Sequence, residues 1–144
     1  MKYIFESKKI SHTKKIAKFV KKHLKSNDVI LLSGDLGAGK TTFTKFLLKL
    51  LGVKEIVSSP TFTIFKNYYA KDRVVYHFDL YRLEEESELV ELNFFEIVNN
   101  MTSDQLILIE WPDIALDYIK RSVMRINVKY TESQNRVYEV EINE

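Results

Sequence analysis

Residues Gly34-Asp35-Leu36-Gly37-Ala38-Gly39-Lys40-Thr41 constrain this chain more than any other stretch, because they match G-x-x-x-x-G-K-[ST]. Such a loop needs a strand before it and a helix after it. Val29–Leu32 is a short apolar run that reads as a buried strand. The following segment places Phe46, Leu47, Leu50 and Leu51 three, four, seven and eight residues beyond Phe43, which predicts an amphipathic helix to Leu51 stopped by Gly52. The chemistry of the loop follows from its parts. Glycines let several backbone N–H groups turn inward, and the helix adds the positive end of its dipole at the same point. Lys40 brings a mobile charge to outer phosphates, and the Thr41 hydroxyl is a hard oxygen suited to magnesium. The phosphate-binding set read from the motif is Leu36, Gly37, Ala38, Gly39, Lys40, Thr41 and Thr42. Base identity is not set by the loop, and no N-K-x-D stretch of the guanine-selecting kind is present.

The 144 residues predict one domain, 1–144, with a core of ordinary size: 45% are apolar and 12% aromatic. A net charge of +2 does not by itself point to nucleic acid or a membrane surface. There is no cysteine, which excludes disulfides and thiolate metal sites. No apolar run approaches the roughly 18 residues of a membrane span, and Met1–Glu6 lacks a signal-peptide core. The expectation is a soluble cytoplasmic protein with no membrane partner.

Further along, Tyr3–Glu6 reads as a short strand and Ser11 as the cap of a helix to about Leu24. Ile56–Val57 reads as the start of a strand. Thr63–Tyr69 and Arg73–Phe78 read as a strand pair across the turn Ala70-Lys71-Asp72. Glu84–Val98 reads as helical, Leu106–Ile109 as another strand, and Asp113–Ile119 as a brief helix. Val123–Tyr130 and Arg136–Ile142 read as a closing hairpin across Thr131–Asn135. Strand–loop–helix order followed by strand pairs predicts an α/β, P-loop NTPase-like three-layer fold with a mixed parallel and antiparallel central sheet.

A phosphate-binding enzyme of this kind needs a carboxylate for the metal and a group to orient the attacking oxygen. Asp79 follows the apolar strand Val74–Phe78, and Glu110 follows Leu106–Ile109. Either is also the residue type expected at a solvated strand end. Thr61, after Ser58-Ser59-Pro60, is a candidate switch residue or a turn residue. Trp111, the only tryptophan, is by position alone a core residue, and His77 is read as a core or hydrogen-bonded histidine.

Four stretches in this order carry a resemblance. They are Ser33–Phe43, Ser59-Pro60-Thr61-Phe62-Thr63, Tyr76-His77-Phe78-Asp79-Leu80-Tyr81-Arg82-Leu83 and Leu108-Ile109-Glu110-Trp111-Pro112. Together they resemble the TsaE (YjeE) family of small bacterial ATPases over most of the chain. The resemblance implies an ATPase using ATP and magnesium, weakly active alone, that supports threonylcarbamoyladenosine synthesis beside the tRNA anticodon. It implies TsaD and TsaB homologues as partners, and tRNA met through their complex. It also implies that Thr41 and Glu110 serve magnesium, Asp79 serves hydrolysis, Thr61 is the switch threonine, and Trp111 lines the site or a partner surface. Three places depart from the family: Leu92-Asn93 stands where Leu-Gly is usual, Gln134-Asn135-Arg136 matches loosely where relatives often carry Gly-Arg, and Glu6 and Ser7 on the N-terminal side of the site match as loosely.

Eight lysines between Lys8 and Lys25 read as a solvated face or as a footprint for tRNA or an acidic partner. Glu84, Glu85, Glu86 and Glu88 read as a docking face or as a helix start favoured by the dipole. Two other functions fit the loop: a small P-loop kinase, against which the scattered arginines argue, and a binding switch in which ATP occupancy matters more than turnover.

Overall fold

The computed structural model describes residues 1–25, 28–35, 37–57, 65–119, 123–133 and 135–143. The chain runs β1 (Lys2–Ser7), α1 (Ile10–His23), β2 (Val29–Gly34), α2 (Lys40–Leu50), β3 (Phe65–Tyr69), β4 (Val74–Asp79), α3 (Ser87–Glu91), α4 (Phe94–Asn99), β5 (Gln105–Glu110), a 3₁₀ segment (Pro112–Tyr118), β6 (Val123–Tyr130) and β7 (Arg136–Ile142). Seven strands form one sheet in the order β1-β7-β6-β2-β5-β4-β3. β6, β2, β5 and β4 are mutually parallel, whereas β3, β7 and β1 join antiparallel. The α/β architecture with a mixed sheet is the one the sequence predicts.

Side-chain alternation divides the core between the two faces of the sheet. Leu106 and Leu108 of β5 join Ile30, Leu32 and Val75 under α1 and α2. Ile107 and Ile109 point the other way, with Phe78 and Val29, against Leu89, Phe94 and Ala115. β2 and β5 are therefore covered on both faces, which is why their sequences are continuous apolar runs. Glu110 and Asp79 follow the same alternation onto the α2 side, at the C-terminal ends of adjacent parallel strands. Open α/β sheets place their ligand sites at that edge.

Three local expectations change. Helix α1 starts at Ile10 with Lys9 as its N-cap, and no side chain caps it. Ser11 lies inside the helix, and His12 Nδ1 accepts the N–H of Lys8, the residue before the N-cap, at 3.1 Å. Ile56 and Val57 lie outside any strand. Glu84–Val98 is not one helix but two, because Asn93 adopts the left-handed conformation (φ 56°, ψ 27°) between α3 and α4. Asparagine tolerates that region better than most residues, so the turn forms without a glycine. The acidic run belongs to the start of α3. Glu88 accepts the N–H groups of Glu84 and Glu85 at 2.8 and 3.1 Å, and these bonds hold its carboxyl below the usual range. The eight lysines are all exposed.

Candidate functional site

Close packing around the glycine loop explains its sequence. Gly34 ends β2 beside Val128 of β6, and a Cβ there would lie 2.5 Å from the Val128 carbonyl oxygen. Only glycine lets the two strands pair that far. Gly39 is the N-cap of α2 with φ 108°, a left-handed position, and the Arg136 side chain lies directly over it. The Ala38 N–H donates to Asp35 O at 3.0 Å, and the Phe43 N–H to Gly39 O at 3.0 Å, so the loop passes into the helix without a break. Leu36 lies outside the described residues.

Lys40 is only 6% exposed. Its ammonium donates to the Gly34 carbonyl and lies 3.7 Å from the centre of the Trp111 ring. Burial pushes its pKa down, against the opposing pull of the Glu110, Asp79 and Asp35 carboxylates. In this arrangement the charge leans on a carbonyl and an aromatic face, and a phosphate would be the stronger partner.

The two acids stand side by side. Asp79 and Glu110 are register partners on β4 and β5, and Glu110 is in turn opposite Leu32 of β2. Glu110 is 2% exposed, and its Oε2 lies 2.8 Å from His77 Nε2. Asp79 Oδ1 accepts the Tyr81 N–H at 3.1 Å, which fixes the turn after β4. The chain then crosses between strand ends: Leu80 N–H donates to Glu110 O, and Trp111 N–H to Leu32 O. Trp111 takes φ 54°, turning its ring over Lys40 and to 4.9 Å from Tyr81.

These groups enclose a cleft of about 300 Å³. Gly37, Gly39, Lys40, Thr41 and Thr42 line it from the loop and α2, and Asp79 and Glu110 from the strand ends. Ala38 is fully buried beneath the loop. Thr61 lies outside the described residues. Sequence reasoning did not assign Tyr81, Arg82 and Arg136 to the site, yet all three line it. Tyr130 adds a hydrogen bond from its hydroxyl to the Gly37 carbonyl, and the Arg136 guanidinium lies 5.5 Å from the Tyr130 ring centre. Arg82 was legible within the Asp-Leu-Tyr-Arg stretch. Arg136 and Tyr130 come from the far hairpin, with only a loosely matching motif to mark them. Arg82 and Arg136, scattered in sequence, thus meet in one cleft.

The donor set suits magnesium carried by a phosphate ligand. Thr41, Asp79 and Glu110 offer hard oxygens to the cleft, while no group of three or more His, Cys, Asp or Glu able to hold a metal occurs among the described residues. Magnesium keeps most of its waters and shares phosphate oxygens, so one or two protein ligands suffice.

Residues 7–138 match the family model described as threonylcarbamoyl adenosine biosynthesis protein TsaE. The chain belongs to the TsaE family. A tRNA threonylcarbamoyladenosine biosynthesis protein TsaE from Rickettsia conorii is 39% identical over 132 residues, covering 91% of this chain and 73% of the relative. The Bacillus subtilis TsaE is 41% identical over 117 residues, covering 81% and 71%. The crystal structure of Bacillus subtilis YdiB superposes with a TM-score of 0.76 at 29% identity, over 99% of this chain and 87% of that one. That likeness agrees with the mixed seven-stranded sheet. No helix among the described residues is long and apolar enough to cross a membrane.

Proposed function

We propose that this TsaE-family chain hydrolyses ATP with magnesium in the cleft above β2, β4 and β5, in the service of tRNA threonylcarbamoyladenosine synthesis. One observation carries the reading. Two acids end adjacent parallel strands in register, in the same cleft as the loop's lysine and threonine. Backbone N–H groups of residues 37–42 and the Lys40 ammonium hold the phosphates. Thr41 and Glu110 would hold magnesium, which when bound neutralises charge on the outer phosphates. Asp79, further from β2 than Glu110 in the sheet order, orients the attacking water. Trp111 and Tyr81 wall the cleft against solvent. Thr61 serves as the switch threonine, and cytoplasmic TsaD and TsaB homologues are the partners through which tRNA is met.

The test is ATP turnover with and without the TsaB–TsaD pair. Stimulation by the pair is expected, and Asp79→Ala should lower turnover by about 10²–10⁴-fold, the range for a positioned acid–base group. Equal turnover with and without the pair, together with full activity in Asp79→Ala, would sink the reading. A second reading is favoured by the meeting of Arg82 and Arg136, since kinases gather arginines over the transferred phosphate. Label passing from γ-labelled ATP to an acceptor other than water would select it.

A further inference from the structure

We infer that His77 is a positioning residue for Glu110, holding the carboxylate in the orientation that receives magnesium; this rests on reading the cleft as a magnesium–nucleotide site. His77 and Glu110 are among the few buried polar side chains of the sheet, 1% and 2% exposed. They face the same side of β4 and β5, diagonally, with Glu110 two residues beyond Leu108, the register partner of His77, and Nε2 and Oε2 are 2.8 Å apart. An ionised carboxylate only accepts, so Nε2 donates. The bond engages Oε2 and leaves Oε1 as the oxygen that Glu110, a wall of the cleft, offers to a hydrated cation.

Packing alone does not account for the residue. His77 sits beside fully buried Val75 and 6.4 Å from the Tyr68 ring, in surroundings an apolar side chain would fill. Its Nδ1 is buried with no hydrogen-bond partner among the described residues, an arrangement that disfavours the folded state. A buried polar pair of this kind is weak support for stability but fixes geometry. Fixing is needed here because Asp79 is the register neighbour of Glu110, and two like charges side by side push apart. Metal-binding carboxylates are commonly held by such a hydrogen bond, and losing it weakens metal affinity.

The experiment is a magnesium titration of ATP turnover and ATP affinity, paired with ATP affinity in EDTA. His77→Leu should raise the magnesium concentration for half-maximal effect by about 10–100-fold and leave affinity in EDTA unchanged. His77→Gln, which keeps an N–H donor near the Nε2 position, should recover most of that loss. Three results overturn the inference: a folded His77→Leu protein with wild-type magnesium dependence, an equal loss in EDTA, or a Gln variant no better than Leu. Should His77→Leu not fold, histidine NMR of the wild-type protein decides. The His77 Nε2–H signal should move when magnesium is added to the ATP-loaded protein, and an unmoved signal overturns the inference. Wild-type protein that binds no ATP in either medium overturns the reading of the cleft itself.

Discussion

At the scale of single residues, Lys40 joins function to a cost in stability. Its charge is buried against Trp111, and burial holds its pKa below the ordinary lysine value. A lysine with a lowered folded pKa binds fewer protons folded than unfolded, so this group's contribution to stability rises as pH climbs through its titration. Phosphates bring the proton back. ATP binding should therefore take up protons, increasingly so as pH rises from neutrality towards the ordinary lysine range. Calorimetry in buffers of different ionisation enthalpy measures this, and net release over that range would contradict the account of Lys40. For the same reason Lys40→Met should not destabilise the nucleotide-free protein. Methionine keeps the contact with the indole without the buried charge. Its thermal midpoint at pH 7 should equal or exceed wild type by up to about 3 °C, the shift expected for about 1 kcal/mol in a chain of this size. Stabilisation by ATP should vanish. A lower midpoint without ligand would show that the Gly34 and Trp111 contacts outweigh the desolvation.

At the scale of elements, what the sequence made legible was what local periodicity governs. The strand–loop–helix unit from Val29 to Leu51 and the hairpin Val123–Ile142 emerge as read, because apolar spacing and a glycine stop are contained in the segments themselves. Glu84–Val98 does not. Its composition favours one helix, but Phe94 and Leu89 must both reach the same apolar layer, and a left-handed turn at Asn93 brings them there. Asn93→Ala places a Cβ-bearing residue without asparagine's tolerance at φ 56°, and should cost about 1 kcal/mol. Asn93→Gly relieves the left-handed strain but frees the unfolded chain, so it should stay within about 1 kcal/mol of wild type and above the alanine variant. Urea unfolding of the two variants measures the pair. If alanine were as stable as glycine, the turn would not be what breaks the helix. Gly34 is the opposite case, where a motif glycine serves the sheet as well as the loop. In Gly34→Ala the new Cβ meets a backbone oxygen of β6, which cannot rotate away. The expected loss is about 2–4 kcal/mol, of the kind that overpacking and backbone strain produce.

At the scale of the whole molecule, the cleft is assembled from segments more than ninety residues apart, and this is where sequence reading stopped. Asp79 and Glu110 were legible because each ends an apolar run, and the sheet then set them in register. Nothing local announces that Tyr130 will bond to the Gly37 carbonyl, or that Arg136 will lie across Gly39. Those contacts exist because β6 pairs with β2 and carries the β6–β7 turn to the mouth of the phosphate loop. The loop is therefore clasped between the α2 start and a hairpin from the other end of the chain. A ligand on the loop must hold or displace that clasp, so its effect should reach the hairpin. Hydrogen exchange with and without magnesium and ATP gives the test. Protection should rise around Gly37–Thr44 and Asp79–Arg82, and also across Tyr130–Arg136. β1 and α1, whose residues do not line the cleft, should exchange as before. Slowed exchange confined to the loop would mean that the hairpin closes the molecule without taking part in binding. Change at both ends would mean that the C-terminal hairpin belongs to the nucleotide site, despite its loose match to the family pattern.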